Sequence, residues 1–180
     1  MKAKSAKPDS DPGAPKIKAS PKGDRNAGVP KNLYALVAGQ KFFKGLTTHQ
    51  LQLLTDSAME ETFEADEIIY REGDPANRFY VILEGKVALE AEAGEGPAIL
   101  MQTLGPGDDM GWSWLFAPYY AHFTARTLTP VTVIFFYGTR LREQCEADHD
   151  LGFELMKRIA GVMIGFIEAT RKKLVERVVR

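Results

Sequence analysis

Residues 78–92 read RFYVILEGKVALEAE, which is two short apolar segments separated by Glu84 and Gly85. Branched and aromatic side chains dominate the first segment and recur in the second, and such residues favour β-strands. Gly85 stands where the chain must turn, and a tight turn often needs a positive φ, which glycine adopts most cheaply. The stretch therefore predicts two β-strands joined by a tight turn.

The same pattern continues on both sides of this stretch, from residue 61 to residue 137. Short apolar segments alternate there with turns that contain glycine. The predicted strands are residues 62–63, 68–71, 78–83, 86–92, 99–104, 122–127 and 131–136. Strands this short and this regularly spaced predict a jelly-roll or β-roll, in which two antiparallel sheets share one core.

Helical patterns flank the predicted roll. Apolar residues between positions 33 and 37 recur at one-turn spacing, and Thr47 or Thr48 offers a hydroxyl that can cap a second helix. A long helix is predicted to begin near Asp148 or Asp150, whose carboxylates suit the positive end of the helix dipole. The predicted fold class is therefore mainly β with flanking α: a double-stranded β-helix with N-terminal helices and a long C-terminal helix.

Two apolar seams run along the predicted C-terminal helix, residues 149–180. The first seam comprises Leu155, Ile159, Val162, Phe166 and Ala169, and the second comprises Met156, Ala160, Met163, Ile167, Thr170 and Leu174. A helix with two apolar faces usually has two partners, so the prediction is a homodimer. We place its interface on the first seam, at Leu155, Ile159, Val162 and Phe166. The alternative is that the chain's own N-terminal helices bury both seams.

Residues 1–31 differ from the rest of the chain in composition. They hold five of the 10 prolines and have eight basic against three acidic residues, a net charge of +5, whereas the remainder has 15 basic and 21 acidic residues, a net charge of -6. A segment with so few large apolar side chains cannot bury enough surface to offset its ordering entropy. We predict a disordered, basic, proline-rich leader on 1–31, a helix plus β-roll on 32–148 and a dimerisation helix on 149–180.

Composition also limits the classes of function. A single cysteine, Cys145, excludes an internal disulfide and any site built from several cysteines. No segment has the run of about 18 apolar residues that a membrane helix needs, and no apolar core follows the first lysines, so we expect a cytoplasmic protein without a membrane partner. Only His122, among three histidines, falls on a predicted strand, and no nucleophile elbow or nucleotide loop occurs. Neither a metal site nor enzyme activity is predicted.

Four motifs occur in order along the chain: FFKGL at 42–46, YREGD at 70–74, FYVILEGKV at 79–87 and LGPGD at 104–108, which leads to Gly111. Their order and separations resemble those of the cyclic nucleotide-binding domain of the catabolite activator protein group. The resemblance covers about residues 42–180 and implies a non-enzymatic sensory or regulatory domain. Because the chain ends at the long helix, with no room for a helix-turn-helix, no specific recognition of DNA is expected.

In that family, function depends on a phosphate-binding cassette, in which a glycine–glutamate pair opens a one-turn helix and an arginine follows about ten residues later. Here residues 111–124 read GWSWLFAPYYAHFT. Trp112 replaces the glutamate, and Ala121, or His122 if the alignment shifts by one, replaces the arginine. A charge-assisted bond contributes roughly 1.5–3 kcal/mol, so ordinary cAMP or cGMP is not expected to bind. The segment resembles that of a bacterial subgroup with a Gly-Trp-Ser-Trp-Leu-Phe signature, for which the resemblance implies no particular ligand.

The predicted ligand-binding residues are Gly111, Trp112, Ser113, Trp114, His122, Thr124 and Arg126. Amides after Gly111 could hold an anion, and the last three residues alternate, so they share one strand face. That face is either a polar floor of the pocket or the solvent face of an edge strand.

Two interpretations of the pocket remain open. In one, a sensory module takes an unusual small molecule or nucleotide-like ligand, and no other cofactor is predicted. In the other, Trp112 and Trp114 plug the pocket, and the domain serves oligomerisation or partner docking.

Overall fold

Eight strands form a roll of two antiparallel sheets in residues 32–179, the part of the chain that this computed structural model describes. The first sheet has the order β1 (Ala58–Phe63), β8 (Val131–Tyr137), β3 (Arg78–Glu84) and β6 (Asp109–Met110). The second sheet has the order β2 (Ile68–Tyr70), β7 (Thr124–Thr127), β4 (Val87–Ala91) and β5 (Ile99–Leu104). The predicted fold class is confirmed. The predicted leader, residues 1–31, lies outside the described residues.

The turn at Gly85 carries the chain from one sheet to the other. β3 pairs with β8 in the first sheet, whereas β4 pairs with β7 in the second. Gly85 has a φ of +89°, and a Cβ there would lie 2.2 Å from the carbonyl oxygen of Pro130. Pro130 belongs to the short connection between β7 and β8, so the two crossings between the sheets pack directly against each other.

β1 and β7 begin at different residues from those predicted. β1 starts at Ala58, four residues before the predicted 62, because Glu60 and other exposed polar residues of this edge strand hide its apolar pattern. β7 starts at Thr124, two residues after the predicted 122, because the preceding residues form the wall of a cavity described below. β6 has only two residues, too few to show any periodicity.

Four helices flank the roll within residues 32–179: α1 (Leu33–Ala38), α2 (Thr48–Asp56), α3 (Gly138–Ala147) and α4 (His149–Val178). Thr47 caps α2, and its hydroxyl accepts a hydrogen bond from the Gln50 amide while the Gln50 side chain accepts one from the Thr47 amide. The Asp148 carboxylate caps α4 by accepting from the Leu151 amide. Both capping groups are among those that the sequence predicts.

Two apolar clusters, one on each face of the first sheet, form the core. Phe79 and Val81 of β3 point toward the helices, whereas Tyr80 and Ile82 point toward the second sheet. Successive side chains of a strand point to opposite faces, so a strand covered on both faces must be apolar at consecutive positions. This double coverage explains the unbroken apolar run at residues 79–83.

Burial along α4 corrects the predicted dimer interface. Leu155 and Ile159 are only 1% and 0% exposed, packed in the core on the helix side of the first sheet, so a second copy cannot contact them. Val162 is partly buried against the same core, and the Phe166 ring lies 4.9 Å from that of Phe123. The N-terminal helices and the roll therefore bury this seam within the same chain.

The second seam of α4 is the exposed one. Met156 is 51%, Ile167 61% and Leu174 62% exposed, so the alternative in which the chain buries both seams does not hold for the described residues. Near the end of the helix, Lys173 Nζ donates to the Met101 carbonyl, 2.6 Å away. None of the helices in residues 32–179 combines the length and the apolar character needed to cross a membrane.

Candidate functional site

A cavity of about 320 Å³ opens between the two sheets, beside residues 111–123; we call it the roll cavity. Its aromatic walls are Tyr70, Tyr80, Trp112 and Phe123, and Asp74 and Asn77 border it with polar groups. Ligand pockets commonly have volumes of roughly 300–1,000 Å³, so this one suits a small ligand. The two tryptophans of the cassette segment therefore leave the cavity open.

Gly111 stands directly before the only turn of the cassette segment in residues 32–179 that is a 3₁₀ helix. It has a φ of +81°, and a Cβ there would lie 2.7 Å from the Arg78 carbonyl oxygen, so only glycine fits. A 3₁₀ turn, Trp112–Leu115, follows. The close approach fixes the turn against the start of β3, next to the roll cavity.

Trp112, Ser113 and His122 form one cluster on the cavity wall. The His122 ring stacks on the Trp112 indole, with centroids 5.5 Å apart and planes 21° apart. Ser113 Oγ lies 2.9 Å from His122 Nδ1, in a hydrogen bond whose donor depends on the histidine tautomer. The structure thus brings together four of the predicted residues, Gly111 included, on one wall.

Trp114 does not belong to this cluster. It is 1% exposed and packs on Phe79 in the core between the first sheet and the helices. Its backbone also contacts α3, since Arg142 Nη1 donates to the Trp114 carbonyl at 2.6 Å. The prediction of Trp114 as a ligand-binding residue is corrected: its side chain leaves the 3₁₀ turn on the side away from the cavity.

Thr124 and Arg126 also lie away from the cavity, on the outer face of the second sheet. Ala125 points into the core, so its neighbours along β7 must point outward. Thr124 Oγ1 accepts from the Glu72 amide at 3.0 Å. Arg126 forms ion pairs with Glu90 and with Asp66, the latter at 2.8 Å. Thr124 and Arg126 therefore do not form the floor of the pocket, but Thr124 is buried and β7 is an internal strand, so the edge-strand alternative does not describe them fully either. His122 precedes the strand and borders the cavity.

Tyr70 and Tyr80 also line the cavity, although neither is among the predicted ligand-binding residues. Their rings stack with centroids 5.9 Å apart, across the gap between β2 and β3. Burial raises the pKa of Tyr70, and burial raises the pKa of Tyr80 more than the nearby Arg78 lowers it. Both phenols therefore stay neutral and offer hydroxyl groups. The alternation of side chains along the two strands is the feature of the sequence that could have placed both tyrosines inside the roll.

Arg78 borders the roll cavity, but its guanidinium forms an ion pair with a carboxylate. Arg78 Nη1 lies 2.9 Å from Glu61 Oε2, and the guanidinium lies 4.2 Å from the centroid of the Phe135 ring. Arginine and glutamate together carry no net charge. Arg78 therefore does not supply a free cation to the roll cavity.

A second cavity, of about 480 Å³, lies on the other side of Trp112, between α4 and the roll; we call it the helix cavity. Asp109 and Arg158 border it, as do Gly161 and Gly165 of α4. Burial, reinforced by the neighbouring Asp108 carboxylate, raises the pKa of Asp109 to about 7. Oδ1 of Asp109 has no hydrogen-bond partner among the described residues. The indole of Trp112 thus separates two cavities of different polarity.

Comparison with known proteins agrees with this architecture. A sequence profile of the family described as "Cyclic nucleotide-binding domain" matches residues 60–148. The "CRP-like cAMP-activated global transcriptional regulator" of Mycobacterium tuberculosis is 26% identical over 125 residues, which cover 69% of this chain and 56% of that protein. A "cAMP-dependent protein kinase regulatory subunit" of Dictyostelium discoideum is 38% identical over 61 residues, 32% of this chain and 19% of that protein. The chain thus spans little more than half the length of the first of these relatives and about a fifth of the second.

Among solved structures, a protein of Geobacter metallireducens GS-15 described as a cyclic nucleotide-binding protein is 30% identical, with a TM-score of 0.65; the match covers 71% of this chain and 92% of that one. A cyclic nucleotide-binding domain from Methylobacillus flagellatus has a TM-score of 0.69 at 14% identity, which supports the fold alone. Sequence and fold agree, and the chain belongs to the family of cyclic nucleotide-binding regulatory domains, in the group that resembles the catabolite activator protein.

Proposed function

We propose that this chain is a non-enzymatic sensory domain whose roll cavity takes a small molecule other than an ordinary cyclic nucleotide. The open, aromatic cavity beside a cassette without a charged clamp is the observation that carries this proposal. A plugged pocket would suit a purely structural domain, but Trp112 lines the cavity and Trp114 lies in the core.

The contacts around position 121 explain why a cyclic phosphate would be held poorly. The Ala121 amide donates to the Asp74 carbonyl, and the Gly73 amide donates to the Ala121 carbonyl, both at 2.8 Å. These bonds place the Ala121 methyl group beside the turn that contains Asp74, at one of the two positions, 121 or 122, where the resemblance implies an arginine. Arg78 of the cavity wall pairs with Glu61, and Arg126 pairs with Glu90 and Asp66 on the other face of the second sheet.

Thermal unfolding in the presence of a panel of nucleotides and metabolites tests the proposal. A ligand that prefers the folded state must raise the midpoint, and we expect at least one compound of the panel to do so, whereas cAMP at micromolar concentration gives neither a shift nor saturable heat in calorimetry. Loss of one charge-assisted bond of roughly 1.5–3 kcal/mol weakens binding about 10-fold to 150-fold.

A control distinguishes binding in the roll cavity from binding elsewhere. Phe123→Ala removes one wall of the cavity, whereas Phe153→Ala removes an exposed ring of α4 that does not border it. A hit should lose its midpoint shift in the first variant and keep it in the second. Saturable binding of micromolar cAMP, or a panel without a single hit, would contradict the proposal.

We also propose that the chain forms a homodimer through the exposed seam of α4. Ile167→Glu should dissociate the dimer at tens of micromolar, because it places a charge at the centre of an apolar contact. Met59→Glu, at an apolar position of β1 that is 49% exposed, is the matched control and should leave the sedimentation coefficient unchanged. A wild-type chain that sediments as a monomer at this concentration would count against the dimer.

A further inference from the structure

The charges around the roll cavity do not cancel. Arg78 is the basic residue on its wall, and Glu61 neutralises it at 2.9 Å. Asp74 also borders the cavity, and its Oδ2 accepts a hydrogen bond from the Arg71 amide at 2.8 Å. Within residues 32–179, no basic side chain forms an ion pair with Asp74. Asp74 is exposed, so solvent screens its carboxylate, but no ion pair neutralises it.

Asp74 lies beside position 121, since its carbonyl accepts the Ala121 amide at 2.8 Å. An anion bound near Ala121 would approach this carboxylate without a compensating cation, which is unfavourable. A cation in the same place would gain from it. The local field thus favours the opposite ligand charge from the one that an arginine at position 121 would favour.

The walls of the cavity favour the same sign of charge. Tyr70, Tyr80, Trp112 and Phe123 present aromatic rings, and the faces of such rings attract cations. The stacked pair of Tyr70 and Tyr80 also provides a flat surface, which suits a planar ligand. Aromatic walls with a carboxylate at the rim are a chemically consistent receptor for a planar cation.

We propose that the roll cavity selects a planar organic cation, such as an amidinium or a protonated nitrogen heterocycle, and that Asp74 recognises its charge. The proposal rests on the proposed function, because it names the ligand class of the same cavity. It makes Asp74 a specificity-determining residue that the cassette comparison alone would not reveal.

Three probes of nearly identical shape test the sign of the charge: benzamidine, benzamide and benzoate, which carry a positive, zero and negative charge. Titration calorimetry should give benzamidine the lowest Kd, about threefold below benzamide and about tenfold below benzoate. Equal affinities, a reversed order, or no benzamidine binding at about 10 mM would overturn the proposal.

Asp74→Asn tests the residue and has a closely matched control. Asparagine can still accept the turn hydrogen bond but carries no charge, so the preference for benzamidine over benzamide should disappear. Asp108 makes the same kind of turn, with Oδ2 accepting from the Gly105 amide at 2.8 Å, yet does not border the roll cavity. Asp108→Asn should therefore keep the preference. Equal behaviour of the two variants would overturn the role of Asp74.

The two proposals can fail separately. If a metabolite of the panel shifts the midpoint and loses its effect in Phe123→Ala while benzamidine does not bind, the charge preference is wrong and the sensory function stands. If neither the panel nor benzamidine binds, both are wrong.

Discussion

Gly85→Ala is expected to lower the free energy of unfolding by about 4 kcal/mol or more, or to prevent folding at 37 °C. The φ of +89° is unfavourable for alanine, and its Cβ would lie 2.2 Å from the Pro130 carbonyl oxygen and 2.8 Å from Val131 Cγ2. The nearest of these atoms belongs to the backbone, so no side-chain rotation can relieve the contact. Urea denaturation followed by circular dichroism measures the loss.

Gly107→Ala is the matched control for this substitution. Gly107 has a φ of +86°, almost the same as Gly85, but no atom lies within 4 Å of the position that its Cβ would occupy. Alanine there should carry only the cost of the left-handed backbone, about 1–2 kcal/mol. If both variants lose the same stability, the two crossings between the sheets are not in direct contact in solution.

Raising the pH should destabilise the domain through Asp109. Burial raises the pKa of this carboxyl from 3.8 to about 7, so the folded state favours the neutral form. The stabilisation is fully present below about pH 4 and is lost progressively as the pH rises through about 7. A difference of about three pKa units corresponds to a loss of at most about 4 kcal/mol in the free energy of unfolding. Because Asp109 borders the helix cavity, we expect the loss to be about 2–4 kcal/mol.

Asp109→Asn should remove this pH dependence and increase stability at pH 8, because a neutral amide replaces a buried charge. Asp56→Asn is the control, since Asp56 is exposed at the end of α2 and accepts a hydrogen bond from Gln52. Urea unfolding at pH 5 and pH 8 provides the comparison. If Asp109→Asn keeps the wild-type difference between the two pH values, another group causes it.

The fold was predictable because its decisive signals are local. Residues 78–92 contain their own strands and turn, and the caps at Thr47 and Asp148 lie next to the helices they begin. β6 was not predicted, because a strand of two residues is too short to show an alternation of apolar and polar side chains. The buried seam of α4 could not be chosen from periodicity either, because both seams are apolar and the positions of the N-terminal helices and the roll decide which one is covered.

The candidate site was predictable only in part, because it depends on directions that spacing does not determine. Trp112 and Trp114 look equivalent in the sequence, yet the 3₁₀ turn sends one indole to the cavity and the other into the core. The contact of Ser113 with His122 joins the two ends of the cassette segment. Asp74 comes from a different turn, and only the hydrogen bonds across the cavity rim reveal that it lies beside Ala121.

The uneven burial of α4 also affects how the helix opens. Its first three turns are held by Leu151, Leu155 and Ile159 in the core, whereas the residues after Phe166 are mostly exposed. Local opening of those last turns therefore costs only a small part of the global free energy of unfolding, and their amides are open to fast hydrogen exchange. A partner that covers the exposed seam would have to suppress this local opening, so the affinity of the proposed dimer would be lower than its apolar area alone gives.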